Sequence, residues 1–195
     1  MCSSDLLSRV GDYQYVDNIE AINFTQVSEY WWEKPLFDDF MRVRVGRQDA
    51  NADFAVVDLG GDFINSSMGF SPTIPLPSFP LPSAGVTSFF KLNDQYEFRC
   101  GVWDGGLMGF PGGKPGPFGF SHTSYAFSMF ELKSTHEISN LPGDAHIGVW
   151  YHGGVWTNQM TGDTQKGNHG VYLGVDQMLW KEDRKSTRLN SSHQI

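Results

Sequence analysis

The feature that most constrains the fold of this chain is an alternation of apolar residues with polar residues or glycine, repeated along most of its length. In the clearest run, residues 96–103, Phe98 and Cys100 alternate with Glu97 and Arg99. Six further runs with this period lie at residues 22–33, 41–46, 86–92, 124–135, 145–152 and 171–180. A period of two residues is that of a β-strand whose two faces meet different surroundings. The sequence therefore predicts an all-β protein with about seven strands.

The connections between the predicted strands alternate between short and long. In chain order they are residues 34–39, 49–84, 93–94, 105–121, 136–143 and 153–169. Short turns at one end of the strands and long loops at the other are typical of outer-membrane β-barrels. A soluble β-sandwich has Greek-key crossovers, which scatter the loop lengths. The pattern therefore favours an antiparallel outer-membrane barrel, with polar strand faces toward a lumen and apolar faces toward lipid.

Composition excludes several other classes of protein. Aromatic residues make up 14% of the chain and charged residues 18%, whereas disordered chains are rich in charge and poor in aromatics. The net charge of −8 disfavours a nucleic-acid partner. No apolar stretch approaches the ~20 residues of a membrane helix. Cys2 and Cys100 show no disulfide or metal spacing and no nucleophile motif occurs, so we expect no metal, no cofactor and no enzymatic activity.

Several blocks of the chain resemble the carbohydrate-selective porins of Gram-negative outer membranes. The most specific is Val45–Phe54 followed by Phe63–Ser67. The other blocks, in the same order as in the family, are Gly11–Asp12, Asn18–Ala21, Glu29–Glu33, Gly101–Gly105, Leu141–Gly143, Ile147–His152, Tyr172 and Asp176–Trp180. The resemblance covers residues 5–182 and implies a passive outer-membrane channel for sugars. It also implies a large antiparallel β-barrel of roughly 16 strands in contact with lipid, of which the seven predicted strands are a fragment, and it leaves a homo-oligomer open.

The resemblance implies a path for sugars, and the strand pattern supplies candidate residues for that path. Aromatic rings pack against the C–H face of a pyranose, and nearby charged groups hydrogen-bond its hydroxyls. An Arg or Lys facing lipid near the midplane would cost about 2–4 kcal/mol, which favours a lumen position for the charges. The candidate sugar-path residues are Glu29, Trp31, Glu33, Arg42, Arg44, Glu97, Arg99, Trp103, Trp150, His152, Asp176 and Trp180.

Two alternatives stay open for these residues. Some of the tryptophans would fit the aromatic girdle at the membrane interface, for which Tyr30 and Trp32 on the apolar face are better candidates. The charges would also serve as cross-strand ion pairs, such as Glu33 with Arg42. The faces of the run at 124–135 cannot be assigned from the pattern.

The 49–84 connection is too long to be a plain turn, and long ordered loops in compact domains usually serve a function. In a barrel such a loop can fold inward and narrow the passage. Its polar residues predict an acidic constriction formed by Asp49, Asn51, Asp53, Asp58, Asp62 and Asn65.

The two ends of the chain differ from its body. Residues 183–195 are polar, lack aromatics and match a reading frame of a sequencing adapter, so we interpret them as non-native and place the porin domain at residues 1–182. The N-terminus has no basic and apolar signal-peptide regions, which fits a gene fragment. The alternative to a porin is a secreted, soluble β-sandwich that binds or hydrolyses polysaccharide.

Overall fold

A computed structural model describes residues 26–57, 60, 69, 73–79, 81–107, 120–121, 125–158 and 160–181 of the chain. Within these ranges, seven β-strands form one antiparallel sheet in which every strand pairs with its neighbours in chain order. The strands are β1 (Tyr30–Leu36), β2 (Met41–Gln48), β3 (Ser83–Lys91), β4 (Tyr96–Asp104), β5 (Ala126–Ile138), β6 (Leu141–Thr157) and β7 (Thr164–Gln177). The predicted all-β, seven-stranded antiparallel fold is confirmed. None of the described segments forms a helix long and apolar enough to cross a bilayer.

Short turns and long connections alternate along the first five links of the sheet. The tightest turn, between β5 and β6, consists of Ser139 and Asn140 with φ values of 55° and 61°. Positive φ at both central residues is the geometry of a two-residue hairpin turn whose twist matches that of the flanking strands. The predicted 136–143 connection is therefore shorter than the sequence indicated.

The last connection is also shorter than the sequence indicated. A long loop is expected over residues 153–169, but β6 continues to Thr157 and β7 begins at Thr164. A β-bulge between His152 and Val155 takes up the intervening glycines, and the pairing continues beyond it. The predicted loop is too long because glycine marks an irregularity within a strand rather than its end, and the connection comprises residues 158–163.

Two predicted strand ends also move. The strand expected over residues 22–33 begins at Tyr30, since residues 26–29 are not in a strand and residues 22–25 lie outside the described residues. The strand expected over residues 171–180 ends at Gln177.

The sheet has two faces of opposite character. The outer face carries exposed apolar side chains: Val45, Val86, Val102, Phe130, Leu132, Ile147, Val149, Val171, Leu173 and Val175. The inner face carries most of the charged residues of the strands, whereas Lys34, Arg47 and Asp104 occupy outer-face positions in the register. Register places Arg42, Phe89, Arg99 and Glu131 side by side in one row across β2 to β5. No second sheet packs on the apolar face within the described ranges, and such a sheet is what a β-sandwich requires.

The hydrophobic core lies on the inner face, beneath a segment that follows β2. The covering segment comprises residues 49–57, begins with a single 3-10 turn (Ala50–Ala52) and is hereafter called the inner segment. Residues 73–79 brace it, because the Ala50 N–H donates to the Pro77 carbonyl at 3.0 Å and the Phe79 N–H to the Asp49 carboxylate at 3.0 Å. The core residues are Ala50, Phe54, Ala55, Ile74, Leu76, Trp103, Phe127, Met129 and Trp150.

Candidate functional site on the inner face

Two arginines of β2 are fixed by carboxylates from two different elements. Arg42 Nη1 donates to Glu33 Oε1 at 3.0 Å, and Arg44 Nε donates to Glu33 Oε2 at 2.9 Å. Arg44 Nη1 also donates to Asp53 Oδ2 of the inner segment at 2.5 Å. Glu33 reaches both arginines because register sets it opposite Arg44, with Arg42 two residues along the same face. The predicted Glu33–Arg42 ion pair is confirmed.

Aromatic rings hold the same guanidinium groups in place. Arg42 Cζ lies 4.3 Å and Arg44 Cζ 5.2 Å from the centre of the Phe89 ring. Arg44 Cζ also lies 4.6 Å from the centre of the Trp31 ring, and Trp31 is itself half-exposed. Ion pairing in the plane and stacking on the faces leave each guanidinium with little rotational freedom.

Asp53 is the point at which the inner segment meets these arginines. Burial raises the pKa of Asp53 above its ordinary value of 3.8, and the guanidinium of Arg44, with a smaller contribution from Arg99, opposes the rise. Both effects follow from a carboxylate that has lost much of its water but faces cations.

A second charged cluster lies on β4, β5 and β7. Arg99 Nε donates to Glu97 Oε1 at 2.5 Å, and Arg99 Nη1 lies 3.4 Å from Glu131 Oε1. Arg99 also donates to the backbone carbonyl of Asp53. Glu131 Oε2 accepts from the Tyr172 hydroxyl at 2.9 Å and from the backbone N–H of Ala55 at 2.8 Å. One buried carboxylate therefore joins the sheet to the inner segment.

Aromatic side chains fill the part of the inner face beneath the inner segment. Phe54 meets Trp103 edge to face, with ring centroids 5.3 Å apart. The Trp103 indole lies over Gly85 and Gly101. A Cβ would come within 2.3 Å of the indole at Gly85 and within 2.2 Å at Gly101, so both positions need glycine to leave room for the ring. Trp103 is 2% exposed and Trp150 7%. Their rings are packing surfaces in this structure rather than open faces.

His152 is fully buried at the end of the sheet that carries the long connections. Its Nε2 lies 2.9 Å from the Gly105 carbonyl oxygen, and its Nδ1 accepts from the Gly154 N–H at 3.0 Å. This pair of bonds fits a neutral imidazole with its proton on Nε2. The ring also meets Trp156 edge to face at 5.2 Å. His152 therefore ties β6 to the start of the connection after β4.

An open cavity of about 950 Å³ lies at the other end of the sheet, near the short turns. Lys133 and Asp144 form an ion pair of 3.2 Å on its wall, and Asp176 lies opposite Asp144 in the β6–β7 register. Trp180 lines the same cavity but follows the end of β7 and is 74% exposed.

The structure distributes the predicted sugar-path residues as follows. On the inner face lie Trp31, Glu33, Arg42, Arg44, Glu97, Arg99, Trp103, Trp150, His152 and Asp176. Two predicted residues flank the strands instead of lying on them. Glu29 precedes β1 and accepts from the Asp49 N–H at 3.3 Å, while Trp180 follows β7. Contact of any of these residues with sugar stays a prediction.

The predicted constriction residues have different roles within the inner segment. Asp53 faces the sheet, whereas Asp49 caps the 3-10 turn by accepting from the Asn51 N–H at 2.8 Å. The Asn51 amide in turn donates to the Phe54 carbonyl at 3.1 Å. The other three, Asp58, Asp62 and Asn65, lie outside the described residues.

Sequence reasoning missed Glu131 and Tyr172. Apolar residues occur at both parities of the run at 124–135, for example Phe127 and Phe130, so the pattern did not show which way Glu131 faces. The signal that identifies its face is register. Glu131 lies opposite Arg99 on β4 and opposite Gly148 on β6, whose next neighbour is Tyr172.

The described part of the chain contains no group of three or more His, Cys, Asp or Glu side chains arranged to hold a metal ion. The carboxylates of Glu33, Glu131 and Asp144 are instead engaged by arginine, lysine, tyrosine and backbone donors.

An antiparallel sheet with an apolar outer face, a charged inner face and a segment folded over that inner face is part of a porin-type outer-membrane barrel. A family model described as the carbohydrate-selective porin, OprB family, matches residues 4–191. The chain belongs to this family, which places it in the outer membrane of a Gram-negative bacterium. The polysaccharide-binding sandwich is therefore not the fold of this chain.

Comparison with individual proteins supports the same fold. A high-pH structure of OprB from Pseudomonas putida superposes with a TM-score of 0.65 at 15% sequence identity. The match covers 85% of this chain and 44% of that chain, so the present chain spans less than half the length of that protein. No curated protein matches the sequence.

Proposed function

We propose that this chain forms one side of an outer-membrane channel through which sugars diffuse down their gradient, without an energy source or cofactor. The observation that carries the proposal is that the covered face of the sheet is the charged one and the exposed face is the apolar one. Most of the sheet's charged residues lie on the face that the inner segment covers, and its exposed apolar side chains lie mainly on the other face. That arrangement suits a water-filled lumen on one side and lipid on the other.

The proposed sugar path follows the charged clusters of the inner face. Each of Arg42, Arg44 and Arg99 has a carboxylate partner, so the path offers fixed donors and acceptors with little unbalanced charge. Hydroxyl groups of neutral sugars can exchange water for such groups, whereas an anionic sugar would have to compete with the carboxylates. We therefore assign neutral sugars as the substrate class.

Of the four tryptophans that the sequence predicts on this path, we assign the aromatic contact with sugar to Trp31. Trp31 keeps about half of its surface open and is backed by Arg44, so it can offer a ring face to a pyranose. Trp103 and Trp150 are buried, and we assign them to holding the inner segment in place. The constriction is formed by the inner segment, with Asp53 as the acidic residue that faces the sheet.

The experiment that tests the proposal is permeation through the complete porin, purified in detergent and reconstituted into liposomes and planar bilayers. We expect liposomes to swell in neutral monosaccharides faster than in sugar phosphates, and Arg44→Ala to slow the entry of sugar phosphates further, because it leaves Glu33 and Asp53 with less positive charge to balance them. Lys91→Ala is the matched control, because it removes the same charge from an exposed pair at a turn. A channel that conducts ions but swells equally in neutral and phosphorylated sugars would contradict the proposed substrate class.

A further inference from the structure

Glu131 stands out because it is a charged residue at the centre of β5 that is 2% exposed. A carboxylate so far from water is stable only when its oxygens are fully engaged by donors. Its three donors come from three different elements: Tyr172 on β7, Arg99 on β4 and the peptide N–H of Ala55 in the inner segment. The carboxylate therefore joins parts of the chain that are distant in sequence.

The contact with Ala55 is the one that concerns the inner segment. Ala55 has φ of 52°, in the left-handed region that alanine adopts only when its surroundings hold it there. Its N–H points to Glu131 Oε2 at 2.8 Å, and Asn51 donates to its carbonyl oxygen at 3.4 Å. The backbone of Ala55 is thus held by the sheet at its N–H and by its own segment at its carbonyl.

We propose that Glu131 is the positioning residue of the constriction: it fixes the inner segment across the inner face through the Ala55 peptide, and Tyr172 and Arg99 fix Glu131. The ion pair of Arg44 with Asp53 is the second attachment, on the β2 side of the segment. With both attachments in place, Asp53 is held at a set height above the arginines of the proposed sugar path. Loss of Glu131 detaches one side of the segment and widens the passage.

This proposal rests on the proposed function only for its transport readout, so the first measurement is structural. Hydrogen exchange of the complete porin, in detergent, is followed by mass spectrometry over the peptide that contains Ala55. In Glu131→Ala we expect exchange of this peptide to rise by roughly 10²-fold, because removing one partner of a buried charged group shifts the local equilibrium about that far. Glu131→Gln keeps an acceptor oxygen for the Ala55 N–H, and we expect it to retain most of the protection.

The matched control is Glu97→Ala. Glu97 lies on the same face, carries the same charge and shares Arg99 as a partner, but the Ala55 N–H donates to Glu131 and not to Glu97. We expect no change in exchange at Ala55 for this variant. Tyr172→Phe removes only the hydroxyl that supports Glu131, and we expect it to loosen the same peptide by a smaller factor. If Glu131→Ala fails to assemble, Tyr172→Phe carries the test.

The second measurement is the ion current through single channels in the presence of a neutral sugar. In Glu131→Ala we expect a larger open-channel current. We also expect a rise of about tenfold in the sugar concentration that halves this current, because tenfold weaker binding corresponds to losing one hydrogen bond to a charged group. Unchanged exchange at Ala55 in both Glu131→Ala and Tyr172→Phe would overturn the positioning role. If exchange at Ala55 is faster in these variants but neutral sugars do not block the wild-type channel, the positioning role stands and the proposed function is contradicted.

Discussion

The two faces of this sheet differ in which side chains they expose: the outer face exposes apolar side chains, and the inner face buries charged and polar ones. On the outer face Val171 is 78% exposed and Leu173 72%, whereas on the inner face Glu131 and His146 are buried. In a soluble antiparallel sheet the apolar face is the one that is covered, and the charged face meets water. The reversal is what the proposed function requires, with lipid against the apolar face and a lumen against the charged face.

The largest expected effect comes from moving a charge between the faces of β2. Val43 and Arg42 are neighbours on opposite faces, since register places Val43 opposite Ser88 and Arg42 opposite Phe89. Val43→Arg should cost about 2–4 kcal/mol of insertion free energy if it meets lipid near the midplane, and should lower the amount of porin in the outer membrane. Heat-modifiable mobility on gels measures the assembled fraction.

Arg42→Ala is the companion variant in the same strand. It removes one ion pair with Glu33 and one contact with Phe89 while leaving the outer face unchanged. We expect normal assembly and an altered preference among sugars. The reverse ranking, with Arg42→Ala unassembled and Val43→Arg normal, would show that the two faces have been assigned the wrong way round.

A smaller effect on assembly of the barrel is expected from the buried ring of the inner segment. Phe54 is fully buried against Trp103, so Phe54→Ala removes a core ring, a change that costs about 3–5 kcal/mol in well-packed proteins. Most of that cost should fall on attachment of the inner segment, because the strands keep their hydrogen bonds. We expect a larger open-channel current with little change in the unfolding temperature of the barrel.

Phe79→Ala is the control for that variant. Phe79 lies in the bracing stretch of residues 73–79 but is 73% exposed, so its ring contributes little packing. An equal rise in current for Phe79→Ala and Phe54→Ala would show that the ring of Phe54 is not what holds the segment on the inner face.

The smallest expected effect is a dependence of ion preference on pH. Because burial raises the pKa of Asp53, this carboxyl gains its proton at a higher pH than a free aspartate, and the inner face then loses one negative charge. Because the pKa of Asp53 is higher in the folded state, its carboxyl stabilises the folded segment at a pH below the ordinary pKa of aspartate. This stabilisation is lost as the pH rises through the raised pKa. Reversal potentials measured from neutral to acidic pH should shift toward anions.

Asp53→Asn provides the control for this titration, because it is neutral at every pH. We expect the wild-type channel to approach the ion preference of Asp53→Asn as the pH falls. A shift of the same size in both channels would assign the titration to another group.

The sequence predicted the strands well because their main signal is local. Alternation in residues 96–103 and 145–152 sets both strand type and face, and the residues facing the outside follow directly from it. The same signal failed over residues 153–169, where Gly153 and Gly154 indicated a loop although a bulge carries the strand through. The local pattern does not distinguish a glycine that ends a strand from one that bends it.

The candidate site could be predicted only in part, for a different physical reason. The pairing of Glu33 with Arg42 follows from neighbouring strands joined by a short turn, so it is visible in the sequence. The contact of Glu131 with Ala55 joins residues 76 positions apart through a long connection. The burial of Trp103 also depends on where the inner segment folds, and strand periodicity carries no information about that position.

The measurement that tests the central claim most directly is thiol labelling of the assembled porin on both faces of one strand. In a background with Cys2 and Cys100 replaced by serine, Arg42→Cys and Val43→Cys are each treated with a charged, membrane-impermeant thiol reagent. The account predicts rapid labelling at position 42, slowed by neutral sugars, and no labelling at position 43. Labelling at position 43 with protection at position 42 would contradict the assignment of the charged face to the lumen.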